Sequence, residues 1–359
     1  MDFRLRRDRL GARLPELDID ALLVTRLPNV RYLSGFTGSN AQLLLARDQD
    51  ASVFLTDGRY TEQSSREVPD LRRETYSGGS FRDAFAAVCT GAGVRRVGFE
   101  AAGVSYALFQ QLSSADGLEL VPVAEEVERL RWTKDREEIE LIGRAQTITD
   151  EAFERITAKL AESVTERELA LELEFTMRQA GADGLAFDSI VAFGESAAEP
   201  HHHPSDRPLR QGDIVKLDFG AMAAGYHSDM TRTVSFGEPP AELREIHDLV
   251  SRAQQAGIDA VRAGVTGGDA DAAARDVIAG AGHAEHFGHS LGHGVGLEIH
   301  EGPSLRANAR DVLPVGAVVT VEPGVYVGGL GGVRIEDMVE VTEDGCRVIG
   351  TSTRELVVL

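Results

Sequence analysis

The chain has only two cysteines in 359 residues, Cys89 and Cys346. Two thiols so far apart form neither a disulfide framework nor a zinc-thiolate spacing. Any metal here would be held by oxygen and imidazole. Basic residues are also few: 37 Lys and Arg face 58 Asp and Glu, a formal charge of -21 with a pI near 4.9. Nucleic-acid binding requires a basic footprint that releases counterions, and anionic membrane surfaces make the same demand. Neither is an expected partner. The opening stretch MDFRLRRDRLGARLPELDIDALLV is basic but is interrupted by Asp and Leu rather than followed by an apolar run. It reads as neither signal peptide nor membrane span, and the expected location is cytoplasmic. No short-period repeat is visible, and no low-complexity segment beyond the triple histidine at 201–203.

The composition, 42% hydrophobic and 26% charged, is that of a globular protein. At this length two domains are expected, each with a sizeable core. Residues 1–130 alternate strand-like runs (ALLVT, AQLLLA, ASVFLT, RRVGFE) with helical patterns such as SFRDAFAAVCTGAG, which predicts an α/β domain. The pattern changes near Arg131. In TKDREEIELIGRAQTITDEAFERITAKL, Ile139, Ile142, Ala145, Thr149, Ala152, Ile156 and Leu160 recur at helical spacing behind a capping box of Asp135 and Glu138. Thr165 and Glu168 form a second capping box, with Val164 and Leu169 placed as a hydrophobic staple. Helices at roughly 241–263 and 269–281 and β segments at DIVKLDFG, MTRTVSF, AVVTVEPGVYV and VRIEDMVEVT complete an α+β domain over 131–359.

Four acidic residues lie in or at the ends of those β segments: Asp218, Asp229, Glu322 and Glu336. Carboxylates are depleted from strands, although one face of an antiparallel sheet can show them to water. Asp218 and Asp229 flank GAMAAGYH, which reads as a hairpin connection that sets their strands side by side. Adjacent carboxylates need a cation or a shared proton. The stretch HGVGLEIHE, residues 293–301, adds two histidines among glycines; the glycines interrupt the period, so the face taken by His293 and His300 is open. If the four carboxylates converge with His293, burial without cations is prohibitive. Two divalent ions would cancel the charge, and this donor set suits Mn, Co, Fe or Zn.

LDFGA, SDMTRTV, GHGVGLEIHE, VEPGVY and GVRIEDMV, in this order over 216–339, resemble the motifs of the pita-bread-fold metallopeptidases, the family of methionine aminopeptidase, aminopeptidase P and prolidase. The resemblance implies that Asp218, Asp229, His293, Glu322 and Glu336 bind two metal ions. Asp229 and Glu336 would bridge them, Asp218 would bind one ion, and His293 and Glu322 the other. It places a further active-site histidine at His201 in PHHHPSDRPLRQGD, with His202 and His203 as solvent-facing neighbours. His300 would stabilise the tetrahedral intermediate or position substrate, and His289 would lie near the substrate pocket. Glu322 would also move the proton, and Arg334 would orient a carboxylate ligand.

FTGSNAQLLL and LTDGRYTEQ resemble the N-terminal domain of bacterial Xaa-Pro peptidases, so the likeness covers nearly the whole chain. The implied fold is a creatinase-like α/β domain followed by a pita-bread catalytic domain. The implied activity is metal-dependent hydrolysis of the bond between an N-terminal residue and proline in a peptide or dipeptide, by a homodimer using two divalent ions, manganese foremost. Xaa-Pro aminopeptidase and Xaa-Pro dipeptidase are not separated by these motifs. A creatinase-like amidinohydrolase would work without metal, and a non-catalytic binding member of the fold would have lost ligands. Here all five positions are occupied.

Overall fold

A computed structural model of the chain describes residues 1–76 and 81–359; the elements below are those of the described residues. Two compact units are present, Met1–Arg131 and Trp132–Leu359. In the first, strands β1 (Ala21–Val24), β2 (Ala41–Ala46), β3 (Val53–Asp57), β4 (Arg72–Tyr76), β5 (Arg96–Glu100) and β6 (Glu119–Val123) form one sheet in the order β4-β3-β2-β1-β5-β6. The β1–β2 and β2–β3 pairs are antiparallel, and the other pairs are parallel. Helices α1 (Phe3–Gly11), α2 (Leu27–Ser34), α3 (Thr61–Glu67), α4 (Phe81–Gly91), α5 (Tyr106–Ser113) and α6 (Glu126–Arg131) accompany it. The interior strands are nearly continuous apolar runs because both faces are covered. The two edge strands, RRETY and ELVPV, are largely polar or carry Pro122, which an edge tolerates. That is why neither shows in the hydrophobic pattern. Ser80, the first residue of the expected helical pattern, lies outside the described residues.

The second unit begins with α7 (Arg136–Thr157) and α8 (Glu166–Gln179). Both capping boxes form: Asp135 accepts from the Glu138 amide and Thr165 from the Glu168 amide, with the glutamates reaching back. The buried stripe of α7 starts at Ile142 rather than Ile139, because Glu138 turns inward to accept from the Tyr226 hydroxyl at 2.8 Å. Next come α9 (Ala241–Ala260) and α10 (Gly267–Gly280). Thr266 caps α10 through the Asp269 amide, two residues earlier than the pattern suggested, since Gly267 and Gly268 weaken the local signal. The unit thus holds two similar halves, each a long helix, a valine, a threonine cap and a second helix with an acid three residues after the cap. Each half has its own apolar core.

The strands of this unit are β7 (Gly184–Leu185), β8 (Ile190–Phe193), β9 (Asp213–Phe219), β10 (Ala221–Ala223), β11 (Tyr226–His227), β12 (Met230–Phe236), β13 (Gly292–Gly294), β14 (Glu301–Leu305), β15 (Val318–Val321), β16 (Gly324–Val327), β17 (Gly331–Arg334), β18 (Asp337–Val341) and β19 (Cys346–Ile349). They form sheets β11-β10-β7, β12-β9-β8, β14-β13-β15-β18-β19 and β16-β17. Ala224 and Gly225, both at positive φ, make the two-residue turn that suits the twist of a hairpin between β10 and β11. Two expected β segments are each broken in two. AVVTVEPGVYV divides at Glu322-Pro323, and VRIEDMVEVT at Ile335-Glu336. The register is unchanged across the breaks: Val321 faces Asp337 and Gly324 faces Arg334. A single antiparallel ribbon therefore loses its ladder locally, at a proline that has no N–H to give.

Replacing Asp135 by alanine removes the cap of α7 and is expected to lower the free energy of unfolding by about 1 kcal/mol in urea titration. An unchanged value would show the cap to be redundant.

Candidate metal centre

The register of the ladders brings the acids together. Thr231 faces Asp218 across β9 and β12, and Asp229, two residues before Thr231, shares its face. Asp218, on β9, and Asp229, immediately before β12, thus come from one half of the unit. In the other half, the β15–β18 register continued by one rung sets Glu322 opposite Glu336, both at the break in the ribbon. Gly292 lets β13 lie against β15: a Cβ there would sit 2.0 Å from the Thr320 carbonyl oxygen. The close approach puts His293 beside Glu322.

Asp229, His293 and Glu336 offer ligand atoms within 4.8 Å of one another. His293 Nε2 lies 3.5 Å from Asp229 Oδ2 and 3.4 Å from Glu322 Oε1. His293 Nδ1 donates to the Gly294 carbonyl at 3.1 Å, so Nε2 carries the lone pair. Burial, with His300 alongside, pushes the imidazole down to about 4, which keeps it neutral. A lone pair aimed at two carboxylate oxygens is repulsive unless a cation or proton sits between. The acids report the same crowding. Burial and then Glu336, Asp218 and Glu322 hold Asp229 well above the usual carboxylate range; burial and then Glu322 and Asp218 do so for Glu336. Burial foremost pushes Glu322 up to about 8. Hard carboxylate oxygens with one properly oriented imidazole fit divalent cations of the first transition row.

Arg334 is 3% exposed and stands behind this cluster. Its guanidinium donates to Asp218 Oδ2, to Thr231 Oγ1 at 2.9 Å and to the Tyr326 hydroxyl at 2.7 Å. Thr231 in turn donates to Glu336 Oε2 at 2.7 Å. Asp218 is therefore engaged by Arg334 and stands outside the tight group of three, while lining the same cavity.

That cavity, about 470 Å³, is lined by His201, His289, His293, His300, Glu322, Arg334, Glu336, Asp218 and Asp229, with Phe187, Ile190, Pro204 and Ile299 among its apolar lining residues. His300 packs edge-on against His293 with ring centroids 4.4 Å apart, and burial lowers its pKa. His289 Nδ1 donates to the Ser290 carbonyl at 2.8 Å, so its Nε2 accepts from the Tyr326 hydroxyl, also at 2.8 Å. Both nitrogens are committed within the protein. His202 is a correction. It was expected to face solvent, but its side chain is 11% exposed, with Nε2 2.8 Å from Glu166 and Nδ1 3.0 Å from Glu199. Glu166, the first residue of α8, is fully buried and needs polar partners, so it draws His202 inward. His203 is exposed.

Sequence reasoning missed several residues that hold the site. The fully buried Lys216 donates to the carbonyls of Ala197, 3.1 Å, and Glu199, 2.5 Å, which fixes the loop leading to His201. Burial, with Arg334 nearby, pushes its ammonium down to about 6. Asp271 and Arg275 of α10 pair at 2.8 Å; Asp271 accepts from the Leu291 amide at 3.0 Å, and Arg275 donates to the His289 carbonyl at 2.8 Å. Tyr326 stood inside VEPGVY, and Lys216 was itself a signal, a cation within an apolar strand two residues before Asp218.

Residues 140–343 match metallopeptidase family M24, and residues 6–133 match the creatinase/prolidase N-terminal domain. An uncharacterized peptidase of Bacillus subtilis strain 168, YqhT, is 44% identical over 345 residues, 96% of this chain and 97% of its own. A solved Xaa-Pro dipeptidase from Bacillus anthracis aligns over 100% of both chains with a TM-score of 0.97 and 41% identity. An X-Pro aminopeptidase from Thermotoga maritima MSB8 covers 97% of this chain and 100% of its own, with a TM-score of 0.89 and 40% identity. Fold and site define a hydrolase built on a creatinase-type N-terminal domain and a pita-bread domain. The chain belongs to metallopeptidase family M24.

A raised carboxyl pKa means that the folded state binds more protons than the unfolded one, so stability falls as pH rises from the unfolded value near 4 to about 8 for Glu322. In EDTA the melting temperature is expected to drop between pH 6 and 8.5 more steeply for wild type than for Glu322→Gln. Added divalent ion should remove the wild-type drop; parallel curves in EDTA would contradict the assignment.

Proposed function

We propose that the chain is a dinuclear-metal-dependent exopeptidase that hydrolyses the bond between an N-terminal residue and proline. The observation that carries the reading is the neutral His293, its Nε2 lone pair aimed at Asp229 and Glu322 within a group of buried acids. Asp218, Asp229, His293, Glu322 and Glu336 would hold two divalent ions, manganese foremost and cobalt, zinc or iron as alternatives. When bound, such a pair supplies a nucleophile at neutral pH and a Lewis acid for the scissile carbonyl.

The protein's own groups do the rest. Glu322, on the cavity wall, takes the proton from the attacking water and delivers it to the proline nitrogen, which must be protonated to leave. His201 and His300, on the cavity wall, donate to the oxyanion of the tetrahedral intermediate. Arg334, tied to Asp218 and through Thr231 to Glu336, keeps the carboxylates oriented. Phe187, Ile190, Pro204 and Ile299 give an apolar surface against which a proline ring can lie. His289, already bonded to Tyr326, shapes the wall beside the substrate.

Of the relatives, one is an Xaa-Pro dipeptidase and another an X-Pro aminopeptidase, and both activities are open to this chain. Family resemblance also supports a homodimer. Among the described residues, no helix is long and apolar enough to cross a membrane. A creatinase-like reaction would survive chelation, and the full set of five donors argues against it.

The test is EDTA-stripped protein with Mn2+ restored, assayed on an Ala-Pro dipeptide and an Ala-Pro-Xaa peptide. Cleavage of the dipeptide alone defines a dipeptidase, and cleavage of the longer peptide an aminopeptidase. Absence of metal-dependent cleavage of either would overturn the reading. His300→Ala is expected to lower kcat by about 10²–10³-fold with the metal content of wild type. Equal loss of both would make His300 structural.

A further inference from the structure

The loop Val295–His300 joins the two histidines of the site and is held from behind by a buried ion pair. Glu301 follows His300 directly and folds back under Gly296, where a Cβ would come within 2.5 Å of Glu301 Oε1. Lys134 Nζ donates to that same oxygen at 2.8 Å, and the two side chains are 1% and 4% exposed. Lys134 is itself fixed, its amide donating to the Gly316 carbonyl at 2.9 Å. Beside it the Trp132 indole fills the space at Gly302, where a Cβ would meet Nε1 at 2.1 Å. The stretch Trp132–Lys134 is thus wedged behind Glu301–Gly302. His300, one residue away, lines the cavity.

Stability alone does not account for an ion pair here. Desolvating two charges offsets most of their attraction, and apolar side chains of similar volume would hold the fold as well. What the pair adds is a defined geometry: Glu301 reaches Lys134 with its side chain under Gly296. That fixes the direction in which its neighbour His300 leaves the backbone. We propose that Lys134 and Glu301 are positioning residues for His300, setting its imidazole against His293 and the substrate from outside the cavity. The proposal rests on the peptidase reading given above for what His300 does, but not for where His300 is held.

The experiment compares full-length wild type, Lys134→Met, Glu301→Gln and the double variant. Three quantities are read: melting temperature, kcat and KM on Ala-Pro with Mn2+, and the imidazole resonances of His300 in 15N-histidine-labelled protein. Lys134→Met alone strands a buried carboxylate and should melt lower. The double variant buries no charge and should melt near wild type. If the pair positions His300, the double variant keeps a shifted His300 resonance and a kcat about 100-fold down, with KM changed by less than about threefold. A double variant with the wild-type resonance and kcat would show the pair to be structural only and overturn the proposal. Should Lys134→Met and the double variant not fold, Glu301→Gln carries the test, since it keeps the shape and weakens the tie: an unchanged His300 resonance contradicts the proposal. Inactive wild type would sink the peptidase reading instead, and the resonance would still decide this one.

Discussion

Asp229 and Glu336 are buried within ligand distance of His293, Glu322 stands half-buried beside the same imidazole, burial foremost raises the pKa of all three carboxyls, and much of the catalytic unit holds them there. Alone, each carboxylate would be driven to protonate or to turn toward water. The chain prevents the turning by placing each on a ladder or at its interruption, where the backbone is fixed on both sides. It limits the charge with one buried guanidinium, Arg334, whose contacts to Asp218 and Thr231 extend to Glu336. One cation for four carboxylates leaves the cluster short of positive charge. That deficit is what a pair of divalent ions would fill.

The two similar halves of the catalytic unit divide the work. The half with α7 and α8 supplies Asp218 and Asp229; the half with α9 and α10 supplies His293, Glu322 and Glu336. Each half rests on its own apolar core, so the acids are positioned by well-packed scaffolds and not by one another. Between scaffold and site lies a layer of buried polar ties. Lys216 fixes the loop before His201, and Asp271 with Arg275 fixes the loop around His289. Asp337, next to Glu336, accepts from Arg232, Gln254 and Arg354 at 2.6, 2.7 and 2.7 Å. Such ties are worth little net stability each, yet they fix geometry. Hydrolysis by displaced groups loses rate steeply.

The carboxylates were legible in the sequence because acids in β segments violate the ordinary pattern, and the capping boxes at Asp135 and Thr165 because they are local chemistry. The edge strands RRETY and ELVPV were not, since edges lack the apolar pattern that marks interior strands. The breaks at Glu322 and Glu336 were hidden for a different reason: the flanking residues keep strand composition and register, and only the loss of a ladder at Pro323 divides them. His202 looked like one of three equivalent histidines. Its inward turn depends on Glu166, thirty-six residues away and buried at the head of α8, a partner that no local pattern announces. Tyr326 and Thr231 likewise owe their place to Arg334, which lies on another strand.

The central claim is that this cluster is a centre for two cations. The measurement that bears on it most directly is anomalous diffraction from crystals of the full chain soaked in Mn2+, collected on wild type and on Asp229→Asn. The account predicts two anomalous peaks per chain, roughly 3.5–4 Å apart, both within reach of Asp229 and Glu336, one also beside Asp218 and the other beside His293 and Glu322. Loss of the shared ligand in Asp229→Asn should weaken both peaks. No peak at the cluster, or a single peak indifferent to Asp229, would contradict it.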